Sequence, residues 1–163
     1  MIMIATWMRK DIEARAKETG VEPFGLVGHS LGGAVVTYLC MTDVPVRKLV
    51  SIAAPAAIDR VFTTYWKNIH LPKKAQDIFA QIAFDLTGVR VNELNVDRLK
   101  DKTGTDVLIV HDDQDKEVSY EHTAIYKKAR PDAEIFTTKN LGHRRILHSE
   151  TVAEKLVQFF LQK

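Results

Sequence analysis

The chain is short of the features that would assign it to several large classes of protein. It has one cysteine, Cys40, in 163 residues, so no intramolecular disulfide can staple it. No uncharged apolar run approaches the roughly 18 residues that a membrane helix needs. The apolar opening Met1 to Met8 is too short for a signal-peptide core, lacks a basic region before it, and runs directly into Arg9, Lys10 and Asp11. Charge of one sign is also lacking: 23 Lys and Arg stand against 21 Asp and Glu, scattered along the chain, which gives no footprint for nucleic acid. There is no internal repeat, low-complexity tract or Gly/Ser linker. The expectation is one cytoplasmic domain with no targeting segment, no membrane partner and no nucleic-acid partner.

Within that domain, short apolar runs alternate with longer segments of helical period, the pattern of a parallel sheet with helices. The segment Ile4 to Thr19 places Trp7, Met8, Ile12 and Ala16 near one face, with Gly20 as its stop. Four strands are expected, at Phe24 to Gly28, Lys48 to Ala53, Asp106 to His111 and Glu134 to Thr138, each followed by turn residues. A last amphipathic helix carries Val152, Leu156, Phe159 and Phe160 behind a capping Ser149.

One connection is out of proportion. About fifty residues separate Pro55 from Gly104, where a simple crossover needs about a dozen. Pro72 suits a helix start and Gly88 a helix stop, and Ile78, Phe79, Ile82 and Leu86 recur between them at spacings of three and four. Residues 56–103 are therefore expected to form a helical lid or cap. Phe62, Tyr65 and Trp66 would be its wall material, with Phe62 and Trp66 as candidate substrate contacts.

The chemistry-bearing motif is Gly28-His29-Ser30-Leu31-Gly32-Gly33, between an apolar run and a helical pattern. A serine on a tight strand-to-helix turn needs small residues two positions either side, and Gly28 and Gly32 meet that need. The turn would expose the Ser30 hydroxyl, while the following helix offers its N-terminus and the Leu31 N–H to a developing oxyanion. His29 is a further candidate for the substrate site, although its place in the turn aims it away from the Ser30 hydroxyl and makes it a packed neighbour rather than a base.

A serine hydroxyl is a weak nucleophile until a base takes its proton, and the base needs an acid to hold its tautomer. Strand-end loops supply both kinds of group. The third strand leads into His111-Asp112-Asp113-Gln114-Asp115-Lys116-Glu117-Val118, and the fourth into Leu141-Gly142-His143. Of six histidines, only His143 follows both the serine and an acidic strand-end loop while opening a strand-to-helix connection. Within the acidic loop Asp112, Asp113 and Asp115 are all candidates. Arg144 and Arg145 would cover acidic neighbours or stay solvated.

With GHSLGG, HDDQDKEV and LGHRR in this order, the chain resembles the α/β-hydrolase family of bacterial serine esterases and lipases, over roughly the carboxyl-terminal two thirds of such a protein. The resemblance implies a truncated α/β-hydrolase fold over 1–163. It implies Ser30 as nucleophile, His143 as base and then acid, and Asp115 as orienting carboxylate, since the family pattern HGxxDxxV lays its Asp there. Asp112 stands where the family commonly has Gly. The family's earlier strands, with an HG-type loop that supplies a second oxyanion N–H, have no counterpart in this reading. Loss of one such donor costs on the order of 10² to 10³ in turnover, so a weak catalyst is expected.

The reading that follows is a hydrolase of small acyl esters working through an acyl-enzyme, with no metal or organic cofactor. A catalytically silent fragment serving assembly or binding is the alternative. A third reading is metal hydrolysis by His111, Asp112, Asp115 and His143. In the family's sheet order the strand before Ser30 becomes an apolar edge here, so a homodimer or higher homo-oligomer through that edge is expected.

Overall fold

The computed structural model describes residues 1–42 and 44–162. Its centre is one parallel sheet of four strands, in the spatial order β1 (Gly25–His29), β2 (Lys48–Ile52), β3 (Asp106–Asp112) and β4 (Glu134–Thr138). In register, Leu26 faces Leu49, Leu49 faces Val107, and Leu108 faces Glu134. The fold is thus α/β with four parallel strands, as expected, with boundaries moved by one residue. β1 starts at Gly25 and includes His29, β2 stops at Ile52 because Ala53 turns to φ 48, and β3 includes Asp112.

Side chains alternate across a strand, so each strand feeds two cores. Leu26, Leu49, Val107 and Ile109 join one cluster with Val35, Leu39 and Tyr126 from α2 (Leu31–Met41) and α5 (His122–Ala129). Val50, Ile52, Leu108 and Val110 join the other, under Val152 and Phe159 of α7 (Glu150–Leu161). β2 is buried along its whole length. Even Lys48 is covered, its ammonium 3.0 Å from Asp106 and over the Phe159 ring. α2 is apolar nearly all round and correspondingly buried at most of its positions.

α1 (Ile2–Thr19) ends at Gly20 in the left-handed conformation, φ 70, where glycine carries no Cβ penalty. Its packed face differs from the expected one. Met1, Ala5, Met8 and Ile12 meet the α2 side of the core, whereas Trp7 points to solvent. The helical phase is set by the small Ala5, which lets the backbone approach α2, and Trp7 then falls on the outer face.

The long connection after β2 is helical: α3 (Ile58–Asn68), α4 (Lys73–Thr87), and two 3-10 turns at Val91–Leu94 and Val96–Asp101. α4 runs between Pro72 and a left-handed Gly88, as expected, yet none of its residues is buried. Ile78, Ile82 and Leu86 face outward, while Phe79, Ala83 and Thr87 face a cleft. The neck of the insertion is tied by Val96 N–H to Ala56 C=O (3.0 Å) and Ile58 N–H to the Asn95 side chain (2.7 Å). The buried Arg130 closes the far side by donating to the carbonyls of Leu99, Lys102 and Thr105. Ser149 occupies the N-cap position of α7 but its hydroxyl makes no capping bond. Among the described residues no helix is long and apolar enough to cross a membrane.

Candidate active site

All four strands are parallel, so their carboxyl ends share one rim, and that rim collects the chemistry. Ser30 follows β1, the loop 113–118 follows β3, and His143 lies in the short helix α6 (Gly142–Arg145) after β4.

Ser30 sits at φ 54, ψ −125, a conformation that L residues rarely adopt. Its amide is held by the Ile52 carbonyl at 2.9 Å, and α2 begins at the next residue. The turn is possible because of two glycines, and one of them is not the expected one. A Cβ on Gly28 would lie 2.3 Å from the Gly32 carbonyl oxygen, and one on Gly33 would lie 2.5 Å from Ala54 Cβ. A Cβ on Gly32, where a collision was expected, would meet no described atom within 4 Å beyond its chain neighbours and the backbone of its own helix. The crowding arises where α2 crosses β1 and β2, a contact that spacing along the chain does not display.

His143 is buried and reaches both neighbours at once: Nε2 lies 2.9 Å from Ser30 Oγ and Nδ1 lies 2.8 Å from Asp115 Oδ2. A carboxylate only accepts, so Nδ1 carries the proton toward Asp115 and Nε2 is left to accept the serine O–H. The other carboxylate oxygen, Oδ1, accepts the amides of Glu117 (2.8 Å) and Val118 (2.9 Å). Burial alone would raise the Asp115 pKa, but the Val118 amide, the His143 ring and the Glu117 amide outweigh it and hold the carboxyl below its ordinary value.

The three aspartates of the loop separate by position. Asp113 is exposed. Asp112 is fully buried and serves the loops: Oδ2 accepts the Thr138 hydroxyl (2.8 Å) and the Leu141 amide (3.0 Å), and Oδ1 accepts the Gln114 amide (3.1 Å). Burial pushes its pKa up, but the Leu141, Thr138, Gly142 and Gln114 donors bring it below the ordinary carboxylate value. Asp112 thereby splints the end of β3 to the loop that presents His143. Asp115 is the one of the three that contacts the His143 ring.

His111 is buried with Nε2 donating to the Val118 carbonyl at 3.0 Å and 3.4 Å from Asp115 Oδ2, while its buried Nδ1 has no hydrogen-bond partner among the described residues. Burial lowers its pKa, which keeps the ring neutral beside the carboxylate. His122, also held to a lowered pKa by burial, accepts the Ala56 amide on Nδ1. Among the described residues, the ring hydrogen-bonded to Ser30 is that of His143. Among the described residues no group of three or more His, Cys, Asp or Glu is arranged to hold a metal ion, so the reading that combined His111, Asp112, Asp115 and His143 has no donor set.

A cleft of about 1000 Å³ opens beside Ser30 under the insertion. Leu31 lies on its floor, and Ile58, Val61, Phe62, Tyr65 and Phe79 form an apolar wall. Phe62 therefore lies where a substrate contact was expected. Trp66 does not line the cleft but backs the wall, stacked 5.6 Å from Phe62 and edge-on 5.5 Å from Phe79. His29 does not line it either: its Nε2 donates to the His143 carbonyl at 2.8 Å, so it supports the histidine loop. Leu31 has the first amide of α2, which has no carbonyl four residues back within the helix.

Two residues went unnoticed as site members in the sequence. His122 reaches the cleft from the start of α5, and Glu117 places Oε2 4.0 Å from His143 Nε2. Glu117 stands two positions after Asp115, and its proximity depends on the turn that the Asp115 carboxylate organises.

Comparison with known proteins agrees with this architecture. Residues 4–74 match the model of the alpha/beta hydrolase fold, and residues 89–163 match the model described as TAP-like protein. A search of curated proteins found no match. Among solved structures, an alpha/beta hydrolase enzyme from a sediment metagenome of the Mar Chica lagoon, Morocco, has a TM-score of 0.66 at 19% identity, over 97% of this chain and 68% of that one. Est1E from Butyrivibrio proteoclasticus, solved with ferulic acid bound, has 0.62 at 20%, over 97% and 68%. A bromoperoxidase from Bacillus anthracis has 0.61 at 16%, over 94% and 72%. At such identities these likenesses speak for the fold.

Proposed function

This chain belongs to the α/β-hydrolase family, and we propose that it is a serine hydrolase of carboxylic esters that works through an acyl-enzyme on Ser30. The observation that carries the reading is the continuous chain Ser30 Oγ to His143 Nε2 (2.9 Å) and His143 Nδ1 to Asp115 Oδ2 (2.8 Å).

In the first step the Ser30 oxygen bonds to the ester carbonyl carbon while its proton passes to His143 Nε2. Asp115 faces the resulting imidazolium and stabilises it, and its depressed pKa keeps it ionised for that task. The carbonyl oxygen, now bearing the charge, is met by the Leu31 N–H and the positive end of α2. The tetrahedral species then breaks its bond to the alcohol oxygen, which takes the proton from His143 Nε2. Water repeats the sequence with the same proton traffic, freeing the acid and restoring Ser30. The acyl group is assigned to the apolar cleft, with the insertion 56–103 as its lid.

A fluorophosphonate tests this directly. One covalent adduct on Ser30 in the intact-mass spectrum, absent from Ser30→Ala, is the expected result. A folded chain that takes no adduct after prolonged exposure would overturn the catalytic reading and leave a role in binding or assembly.

A further inference from the structure

Besides the apolar cleft, the site has a second hollow of about 360 Å³, toward the small end of the range of small-molecule pockets. The two divide the catalytic chain between them. Ser30 lines the cleft and His143 does not, whereas His143 lines the hollow and Ser30 does not; Lys116 and Glu117 border both. In acyl transfer the acyl carbon bonds to the serine oxygen, and the departing oxygen takes its proton from the histidine. The part of the substrate attached to that oxygen must therefore lie on the His143 side.

The hollow is polar. Gln114 and Asn140 line it, Lys116 and Arg145 bring positive charge, and Glu117 brings negative charge. An anionic alcohol would meet Glu117 and a cationic one would meet Lys116 and Arg145. A neutral group with several hydroxyls both donates and accepts, and so suits both sets. Glu117 is held for this purpose from both ends: its backbone N–H is fixed on Asp115 Oδ1 at 2.8 Å, and Arg144 Nε holds Oε1 at 3.0 Å. That leaves Oε2 4.0 Å from His143 Nε2, within one hydroxyl group of the position where the leaving oxygen must sit.

We propose that this hollow seats the leaving alcohol, that it selects esters of neutral polyols over esters of simple alkanols, and that Glu117 is the specificity-determining residue. The proposal rests on the acyl-enzyme reading for its direction, though the hollow itself can be tested without turnover.

Two arms test it on the full chain. Monobutanoylglycerol and propyl butanoate share one acyl group, and the expected kcat/KM ratio favours the glycerol ester by about tenfold or more, falling to within about threefold in Glu117→Leu and to an intermediate value in Glu117→Gln. In Ser30→Ala, which cannot turn over, glycerol should shift the amide resonances of Asn140 and Gly142 and the Gln114 side-chain amide, and 1-propanol should not. A wild-type ratio near one overturns the proposal while leaving the acyl-enzyme reading intact. If neither ester is cleaved and Ser30 takes no phosphonate, the catalytic reading fails, and the resonance arm still decides the hollow: equal or absent shifts with both alcohols overturn it.

Discussion

His29 Nε2 donates a 2.8 Å hydrogen bond to the main-chain carbonyl of His143, and the two imidazole rings lie tilted with centroids 4.7 Å apart. The strand-end residue before the serine thus grips the backbone of the loop that presents His143. Removing it should loosen the angle between Nε2 and Ser30 Oγ, and a misplacement of about 1 Å can cost on the order of a hundredfold. His29→Ala should lower kcat by tenfold or more with KM within about twofold, and His29→Gln, which keeps a donor, should recover part of it. Steady-state kinetics decide: a rise in KM with kcat unchanged would move His29 into substrate binding instead.

The two glycines that flank the serine should respond differently to the same substitution. In Gly28→Ala the new Cβ meets a backbone oxygen at 2.3 Å, which cannot rotate away, so a loss of about 3 kcal/mol and of phosphonate labelling is expected. Gly32→Ala meets no described atom within 4 Å outside its own helix and chain neighbours and replaces a helical glycine, so stability should be equal or higher by up to about 1 kcal/mol. Denaturant melts of both variants would expose an error if the order were reversed.

Asp112 and Asp115 both titrate below their ordinary values in the folded chain, which ties stability to pH in one direction. A depressed carboxylate contributes fully above its unfolded value of about 3.9 and loses that contribution as pH falls through its folded value. Wild-type urea midpoints should therefore fall steeply below about pH 4. Asp112→Asn should start lower at neutral pH, because its amide N–H₂ opposes donors that the carboxylate accepted, by about 1 to 3 kcal/mol. Its decline below pH 4 should be shallower, and parallel curves would remove Asp112 as a source of the acid sensitivity.

β1 pairs with β2 on one side and stands at the edge of the sheet, with Phe24 and Val27 both about half exposed. α1 is packed on α2. An edge with unpaired N–H and C=O groups and apolar side chains recruits another strand, and a second copy related by a two-fold axis is the proposed recruit. Sedimentation should show mass rising with concentration, and Val27→Lys, which places a charge on the edge, should reduce it. A species of 18.5 kDa at every concentration would dismiss the association.

The sequence by itself determined the class of the fold and pointed to the residues of the candidate site. Strand-length apolar runs, a serine between a strand and a helix, an acidic loop and a late histidine are local patterns, and the helix stops at Gly20 and Gly88 are left-handed turns that glycine adopts without a Cβ penalty. Tertiary structure decided everything that depends on distance between elements. It separated Asp115 from Asp112 and Asp113, because only the fold of the loop brings one carboxylate against His143 Nδ1. It gave Gly33 the crowded place expected of Gly32, turned Trp7 outward, and put Trp66 behind the cleft wall, since helical phase and crossing points come from packing against partners remote in the chain. It also brought Glu117 beside His143 Nε2, through a turn held by the Asp115 carboxylate that no spacing along the chain announces.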